Sequence, residues 1–258
     1  MKKLQEMAPL YQKHAFWDTQ PVVHLATDKP GDRRGPIERK EVKDIRTTPL
    51  QLPDGFEWSI IDLMNDKDME ELFELLKENY VEDTDNMFRF KYSVDFLRWA
   101  LMIPGYKKDW IIGCRVTKNK KLIGFITGIP TNVVVDEEKK LMAEINFLCV
   151  HRRLRAKRLT PVLIKEVTRR INLTNIWQAV YTAGKYIPTP FSEALYYHRL
   201  MNIKKLLDIS FCSLPQGSNL KRYEKLNKIP DMPEIPGLRK MGKKDAKKIC
   251  ELLNNYLK

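Results

Sequence analysis

The chain has 258 residues, a formal net charge of +13, 43% hydrophobic and 10% aromatic residues. That apolar content excludes global disorder, no run of about 18 apolar residues exists to cross a membrane as a helix, and "MKKLQEMAPLYQK" lacks the apolar stretch of a signal peptide. The charge favours an anionic partner: nucleic acid, an anionic membrane surface or a phosphorylated small molecule.

In chain order, residues 1–55 are rich in Pro, Gly and charge and are expected to form an extended arm, within which "FWDTQPV" places the aromatic pair Phe16-Trp17 in polar surroundings. "KDMEELFELLKENY" predicts a helix over 67–80, with Met69, Leu72, Phe73, Leu76 and Tyr80 on one face. A shorter helix is predicted after Ser93 as N-cap, burying Phe96, Leu97, Ala100 and Leu101. "WIIGCRVT" (110–117) and "KLIGFITGIP" (121–130) predict a hairpin, and "NVVVDE" (132–137) and "AEINFLCV" (143–150) two more strands. A helix is expected from Pro161, with Thr160 as N-cap, to about Leu173, burying Leu163, Ile164, Val167 and Ile171. "IWQAVYTA" (176–183) and "LLDISFCSL" (206–214) read as strands, which makes an α/β domain on a mixed sheet over 56–214. Cys114, Cys149, Cys212 and Cys250 have no CxxC or Cys/His spacing, so no metal is expected and buried reduced thiols, suited to the cytoplasm, are.

An internal echo organises the rest. "DMEELFELL" (68–76) and "DAKKICELL" (245–253) share the Asp, the final Glu-Leu-Leu and the apolar positions between, and each follows a Gly-plus-apolar pair, Gly55-Phe56 and Gly237-Leu238. Residues 215–258 are then a linker and the first helix of an incomplete second repeat. The densest chemistry lies in "EINFLCVHRRLRAKRLTPVLIKEV" (144–167). A strand ends, Arg152, Arg153, Arg155, Lys157 and Arg158 follow, and a helix begins; free helix-start amides with flanking cations form an anion site. "ENYVEDTDNMFRF" places Glu82, Asp83 and Asp85 after a helix end, where the dipole disfavours negative charge, so a basic ligand is expected to compensate them.

These segments together resemble the N-myristoyltransferase (glycylpeptide N-tetradecanoyltransferase) family: "EINFLCVHRRLRAKRLTPVLIKEVTRRINL", "FWDTQPV", "ENYVEDTDNMFRF" and "IWQAVYTAG" occur in the family's order, collinearly over about 16–214. The resemblance implies an α/β, acetyltransferase-like (GNAT-type) mixed sheet flanked by helices, and a second pseudo-symmetric half of which only the start is present. It implies transfer of a myristoyl group from myristoyl-CoA to the N-terminal glycine of proteins, a step of lipoprotein biosynthesis in the cytoplasm. Myristoyl-CoA is a co-substrate, and no prosthetic group or metal is implied. The backbone amides of Phe147 and Leu148 would form an oxyanion hole at a distorted strand end, and Phe147, Leu148, Cys149 and Val150 would contact the acyl-CoA. Asn146 and Thr182 would contact the substrate amine. Arg155, Ala156, Lys157, Arg158, Leu159 and Thr160 would grip the CoA phosphates, and Phe16 and Trp17 would close over the acyl-CoA. Tyr80, Val81, Glu82, Asp83, Asp85, Phe88, Phe90, Tyr92 and His198 would line the groove for peptides or proteins with an N-terminal glycine.

Departures from the pattern fall at Ala15, Ala156, Thr160 and in "TPFSEALYYHRLM" (189–201). In the family the carboxylate at the end of the full-length protein helps deprotonate the glycine amine, so this chain alone is expected to be weakly active or inactive. The alternative is a non-catalytic acyl-CoA- or partner-binding module derived from such an enzyme. The charge leaves room for transient association with the ribosome or an anionic membrane surface, and no motif for specific nucleic-acid binding is present.

Overall fold

The computed structural model describes residues 13–23, 35–81, 87–184, 186–230 and 235–257. The chain divides into two compact units, Met1–Phe191 and Ser192–Lys258. In the first, a five-stranded sheet runs β1 (Phe56–Ile60), β2 (Ile111–Val116), β3 (Leu122–Val135), β4 (Glu138–Val150) and β5 (Ala179–Val180), in that spatial order. β1 to β4 form an antiparallel meander and β5 joins β4 in parallel, so the sheet is mixed as expected.

Both faces of the sheet are covered, which explains why its strands read as nearly continuous apolar runs. Helices α1 (Asp66–Asn79) and α2 (Val94–Leu101) cover one face, packing Met69, Leu72, Leu76, Leu97 and Leu101 against Ile111, Leu122, Phe125, Phe147 and Cys149. Helix α3 (Leu159–Asn172) covers the other, with Leu163, Val167 and Ile171 against Ile112, Cys114, Ile123, Ile126 and Ala143. The approach is close: a Cβ at Gly128 of β3 would lie 3.2 Å from Ile171 Cδ1.

Several expectations are corrected. The 121–130 and 132–137 stretches are one strand, β3, paired with β4 along a ribbon that reaches the turn at Asp136 and Glu137, both at positive φ. The 176–183 stretch contributes only Ala179–Val180. Helix α3 starts two residues early: Arg158, at φ +55°, precedes it, and Thr160 lies inside it without capping. Pro161 is then the third helical residue, still among the N–H positions that no intrahelical carbonyl uses. Phe96 is exposed and Ala100 half-buried, because α2 meets the sheet only along Leu97 and Leu101. Of the thiols, Cys114 and Cys149 are buried, whereas Cys212 is half-buried and Cys250 exposed.

In the second unit, the 206–214 stretch is not a strand. Helix α4 (Ile203–Asp208) begins on Asn202, whose side chain accepts from the Lys205 amide at 3.0 Å, and Ser210 at φ +58° follows its end. Helix α5 (Leu220–Asn227) starts on Asn219 in the same way. Helix α6 (Ala246–Tyr256) carries the echo of α1, and Gly55 and Gly237, which precede the two, have φ of +88° and +76°. Such backbone favours glycine.

Candidate functional site

The centre of the site is a break in the β3–β4 ladder. Phe125 pairs with Cys149 and Thr127 with Asn146, so Phe147 and Leu148 together face Ile126 alone. This is a β-bulge, and it holds Phe147 at φ +53°. The extra residue shifts the alternation of side chains. Phe147 turns to the α1–α2 face, where it is 5% exposed, and Leu148 packs with the α3 cluster. The Phe147 amide is drawn off the ladder and donates instead to Asn146 Oδ1 at 2.9 Å.

Aromatic rings fix the bulge. Phe147 lies edge-on to Tyr92 (5.5 Å between centroids, 89°) and beside Tyr80 (5.9 Å). Phe90 and Phe96 stack on either side of Tyr92, at 5.9 and 4.9 Å. Burial pushes the Tyr80 hydroxyl up to about 12, with Tyr92 and Cys149 adding to the shift and the Phe147 backbone opposing it. Cys149 is pushed up to about 12 by burial, against the pull of Arg155 and Arg89. It therefore stays a thiol near neutral pH and offers no thiolate nucleophile.

Beside this array is a cleft of about 530 Å³, lined by Tyr92, Phe96, Trp99, Leu101 and Met102 on the α2 side and by Thr127, Ile129, Glu144, Asn146 and Phe147 on the sheet side. Its size and apolar lining suit a ligand cavity. Phe96, Trp99, Thr127 and Glu144 were not read as site residues from the sequence, although Glu144 shares the strand parity of Asn146.

The basic loop is a 3-10 turn, Arg152–Lys157, that includes Ala156 and leads through Arg158 into α3. Lys157 and Arg158 are exposed, Leu159 is buried and Thr160 half-buried. No side chain caps α3 and no acid occupies its first turn, unlike α1 with Asp66 and Asp68. Its positive end thus has no acidic side chain of its own first turn to offset it. The local field is positive: His151 is held below its usual value by burial and then by Lys121, Arg153 and Arg152.

Arg155 is exposed and also ties the loop to α1. Its Nη2 donates to the Asn79 carbonyl at the end of α1, at 2.6 Å. Asn79 is 4% exposed, accepts from the Arg152 amide at 3.0 Å and donates to the Leu75 carbonyl at 2.9 Å. The loop is therefore fastened to the helix that leads into Tyr80. Asn79→Leu strips the Arg152 amide of its acceptor and is expected to destabilise the chain by about 1–3 kcal/mol in urea unfolding; a loss below about 0.5 kcal/mol would mean the bond contributes nothing.

Phe16 and Trp17 pack edge to face at 5.0 Å, Trp17 stacks on Tyr181 at 5.7 Å and Lys165 of α3 lies 6.0 Å from the Phe16 ring. Both aromatics are half-buried and Thr182, next to Tyr181, is exposed. Val81 and Phe90 are exposed and Phe88 is half-buried; Val150 ends β4 buried. Glu82, Asp83 and Asp85 lie outside the described residues. His198, 6.4 Å from Phe211, belongs to the second unit. Among the described residues no cluster of three or more His, Cys, Asp or Glu is arranged to hold a metal.

Residues 36–194 match the family "Myristoyl-CoA:protein N-myristoyltransferase, N-terminal domain", and 208–258 match its C-terminal domain. Among curated relatives, Glycylpeptide N-tetradecanoyltransferase 1 of Arabidopsis thaliana is 47% identical over 262 residues, covering 100% of this chain and 60% of its own. The Drosophila melanogaster glycylpeptide N-tetradecanoyltransferase is 48% identical over 259 residues, covering 100% of this chain and 54% of its own. The chain thus spans about half to three fifths of the relatives it matches. The crystal structure of Saccharomyces cerevisiae N-myristoyltransferase with bound myristoyl-CoA is similar with a TM-score of 0.90 and 45% identity, over 99% of this chain and 60% of that one.

Proposed function

The chain belongs to the myristoyl-CoA:protein N-myristoyltransferase family, and on that premise we propose that it binds myristoyl-CoA and takes part in transferring the myristoyl group to the N-terminal glycine of a peptide or protein. The observation that carries this is the bulge at Phe147 standing between an uncapped, cation-flanked helix start and an aromatic-lined cleft. The CoA phosphates would lie against the start of α3, with Lys157, Arg158 and the amides of Leu159 and Thr160 as donors. The thioester carbonyl would face the amides of Phe147 and Leu148. To do so it competes with Asn146 Oδ1 for the Phe147 amide, so Asn146 would exchange that bond for one to the incoming amine, beside Thr182. A neutral amine attacks the thioester carbon and forms the C–N bond, the charge on the carbonyl oxygen is held by the two amides, and the C–S bond breaks as the amine's proton passes to the leaving CoA sulfur; the protonated Cys149 has no part in the step. One donor to such an oxygen contributes about 3 kcal/mol of transition-state stabilisation.

Phe16 and Trp17, docked beside α3 and Tyr181, would cover the cofactor, and Tyr80, Val81, Phe88, Phe90 and Tyr92, with Glu82, Asp83 and Asp85 from the neighbouring segment, would form a wall of the peptide groove. His198, in the second unit, is proposed as a peptide-contacting residue. The proposed setting is the cytoplasm, with transient contact to the ribosome or an anionic membrane.

Calorimetry tests the reading. Myristoyl-CoA is expected to bind at least about tenfold more tightly than free myristate, a difference of about 1.4 kcal/mol. Lys157→Ala with Arg158→Ala is expected to remove most of that advantage and to flatten its salt dependence, because exposed ionic contacts are screened over about 8 Å at physiological salt. Equal affinities for the two ligands would remove the phosphate contacts, and with them the acyl-CoA reading.

A further inference from the structure

Threonine precedes proline at positions 48, 160 and 189, and serine precedes none. A hydroxyl residue followed by proline is what proline-directed protein kinases accept, in extended backbone, and the proline itself biases the residue before it to that conformation. The structure separates the three. Thr160 is half-buried within the first turn of α3, in helical backbone. The Thr189 hydroxyl donates to the Val23 carbonyl. Thr48 and Pro49 are exposed and lie outside every helix and strand of the described residues.

Other atoms hold the segment and leave Thr48 on the surface. The Arg46 and Thr47 carbonyls accept from Arg169 Nη1 at 3.2 and 3.0 Å, and the Leu50 amide donates to Glu166. Thr48 Oγ1 accepts from Arg46 Nε at 2.8 Å and gives its own proton to no acceptor among the described residues. Arg46 has no acidic partner among them either, unlike Arg115, Arg169 and Arg239. Its guanidinium is thus already fixed on the oxygen that would carry a phosphate, and its Nη groups suit the fork with which arginine grips phosphate. We infer that Thr48 is a phosphorylation site for a proline-directed kinase and that Arg46 is the built-in partner of the phosphate. In the step, Thr48 Oγ1 attacks the γ-phosphorus of a nucleoside triphosphate held by the kinase. The new O–P bond forms as the bond from that phosphorus to the β–γ bridging oxygen breaks, the nucleoside diphosphate leaves, and the hydroxyl proton passes to the kinase's catalytic carboxylate. The product places a charge of about −1.5 to −2 on the segment that Glu166 and Arg169 fasten to α3.

The full chain is incubated with a mitogen-activated protein kinase and magnesium ATP, and the phosphate is located by peptide mass spectrometry. Incorporation is expected at Thr48, to persist in Thr48→Ser and to be lost from this position in Thr48→Ala and Pro49→Ala. Absence of phosphate from position 48, incorporation at Thr160 or Thr189 as fast as at Thr48, or an undiminished rate in Pro49→Ala would overturn the site. Should Pro49→Ala fail to fold, the choice among the three threonines of the unsubstituted chain still decides. Phosphorus NMR of the modified chain tests the partner. The second ionisation of a phosphothreonine lies near pH 6, at about 6, and a neighbouring cation favours the dianion. The midpoint is expected about half a unit lower in the unsubstituted chain than in Arg46→Ala, with Arg46→Lys between them. The gap is expected to shrink at about 1 M salt, where the screening length falls to about 3 Å. Equal midpoints in the unsubstituted chain and in Arg46→Ala would rule out the pairing with Arg46.

Discussion

Glu166→Gln is expected to destabilise the chain by about 3–5 kcal/mol, the range for removing one partner from a buried ionic group. Glu166 is 0% exposed in the middle of α3. Its carboxylate accepts from Arg169 Nη2 and Nε at 2.7 and 2.9 Å, from Arg170 Nε at 2.7 Å and from the Leu50 amide at 3.0 Å. Arg169 also donates to the carbonyls of Arg46 and Thr47, and Trp58 Nε1 donates to the Leu50 carbonyl at 2.7 Å. One carboxylate thus fastens the 46–50 segment to the helix whose start faces the proposed phosphates. Glutamine keeps the shape but leaves two guanidinium groups, whose side chains are only 10% and 11% exposed, without a counter-charge.

The pH dependence separates this from a packing effect. Burial by itself would push the Glu166 carboxyl up, but bonds from Arg169, Arg170 and the Leu50 amide outweigh it and hold the group below its usual value. A carboxyl lowered on folding stabilises the native state above its unfolded value, near pH 4.3, and loses that contribution as pH falls through the lower, folded value. The gap between the unsubstituted chain and Glu166→Gln, followed by urea unfolding, is therefore expected to be full at pH 7 and to narrow below about pH 4. A gap that is constant down to pH 3 would mean that the charge of Glu166 is irrelevant.

Glu166 and Asn79 were not read as buried from the sequence, although the pattern around each carries a signal. Glu166 lies on the apolar stripe of α3, three residues after Leu163 and beside Val167, with arginines three and four residues on. A charged residue on such a stripe with two cations one turn away signals a buried pair, and Asn79, on the stripe of Leu72 and Leu76, gives the same kind of signal. The helices α1, α2 and α3 and the β2–β3 hairpin were readable because their apolar periodicity is strong. β1 was not, since "FEWSI" is five residues long and its pairing with β2 is a tertiary choice. The 206–214 stretch misled because its apolar residues suit either structure and the cap at Asn202 lies upstream of it. In the site, composition exposed the basic turn, but not the bond from Arg155 to the Asn79 carbonyl. The cleft was invisible because Glu144, Thr127 and Trp99 meet only through strand register and helix packing.

The bulge itself is the part no pattern in "EINFLCV" discloses, and it is where the last large effect is expected. Phe147→Ala should cost about 3–5 kcal/mol, as for other buried phenylalanines. Phe147→Gly should cost no more than Phe147→Ala, and up to about 1 kcal/mol less. At an ordinary strand position glycine is worse than alanine by roughly 0.5–1 kcal/mol. At φ +53° any residue with a Cβ carries about 1–2 kcal/mol of left-handed strain that glycine avoids. The two terms oppose, and the strain is the larger. The same comparison explains why phenylalanine can stand here: burying its ring against Tyr80 and Tyr92 contributes about 1.5–3 kcal/mol, enough to hold the strained backbone in place. The ring thereby keeps the Phe147 amide off the ladder, where it donates to Asn146 Oδ1. Urea unfolding of the two variants checks this. If glycine proves less stable than alanine by the ordinary 0.5–1 kcal/mol, Phe147 is not left-handed in solution, and the oxyanion geometry proposed for this strand falls with it.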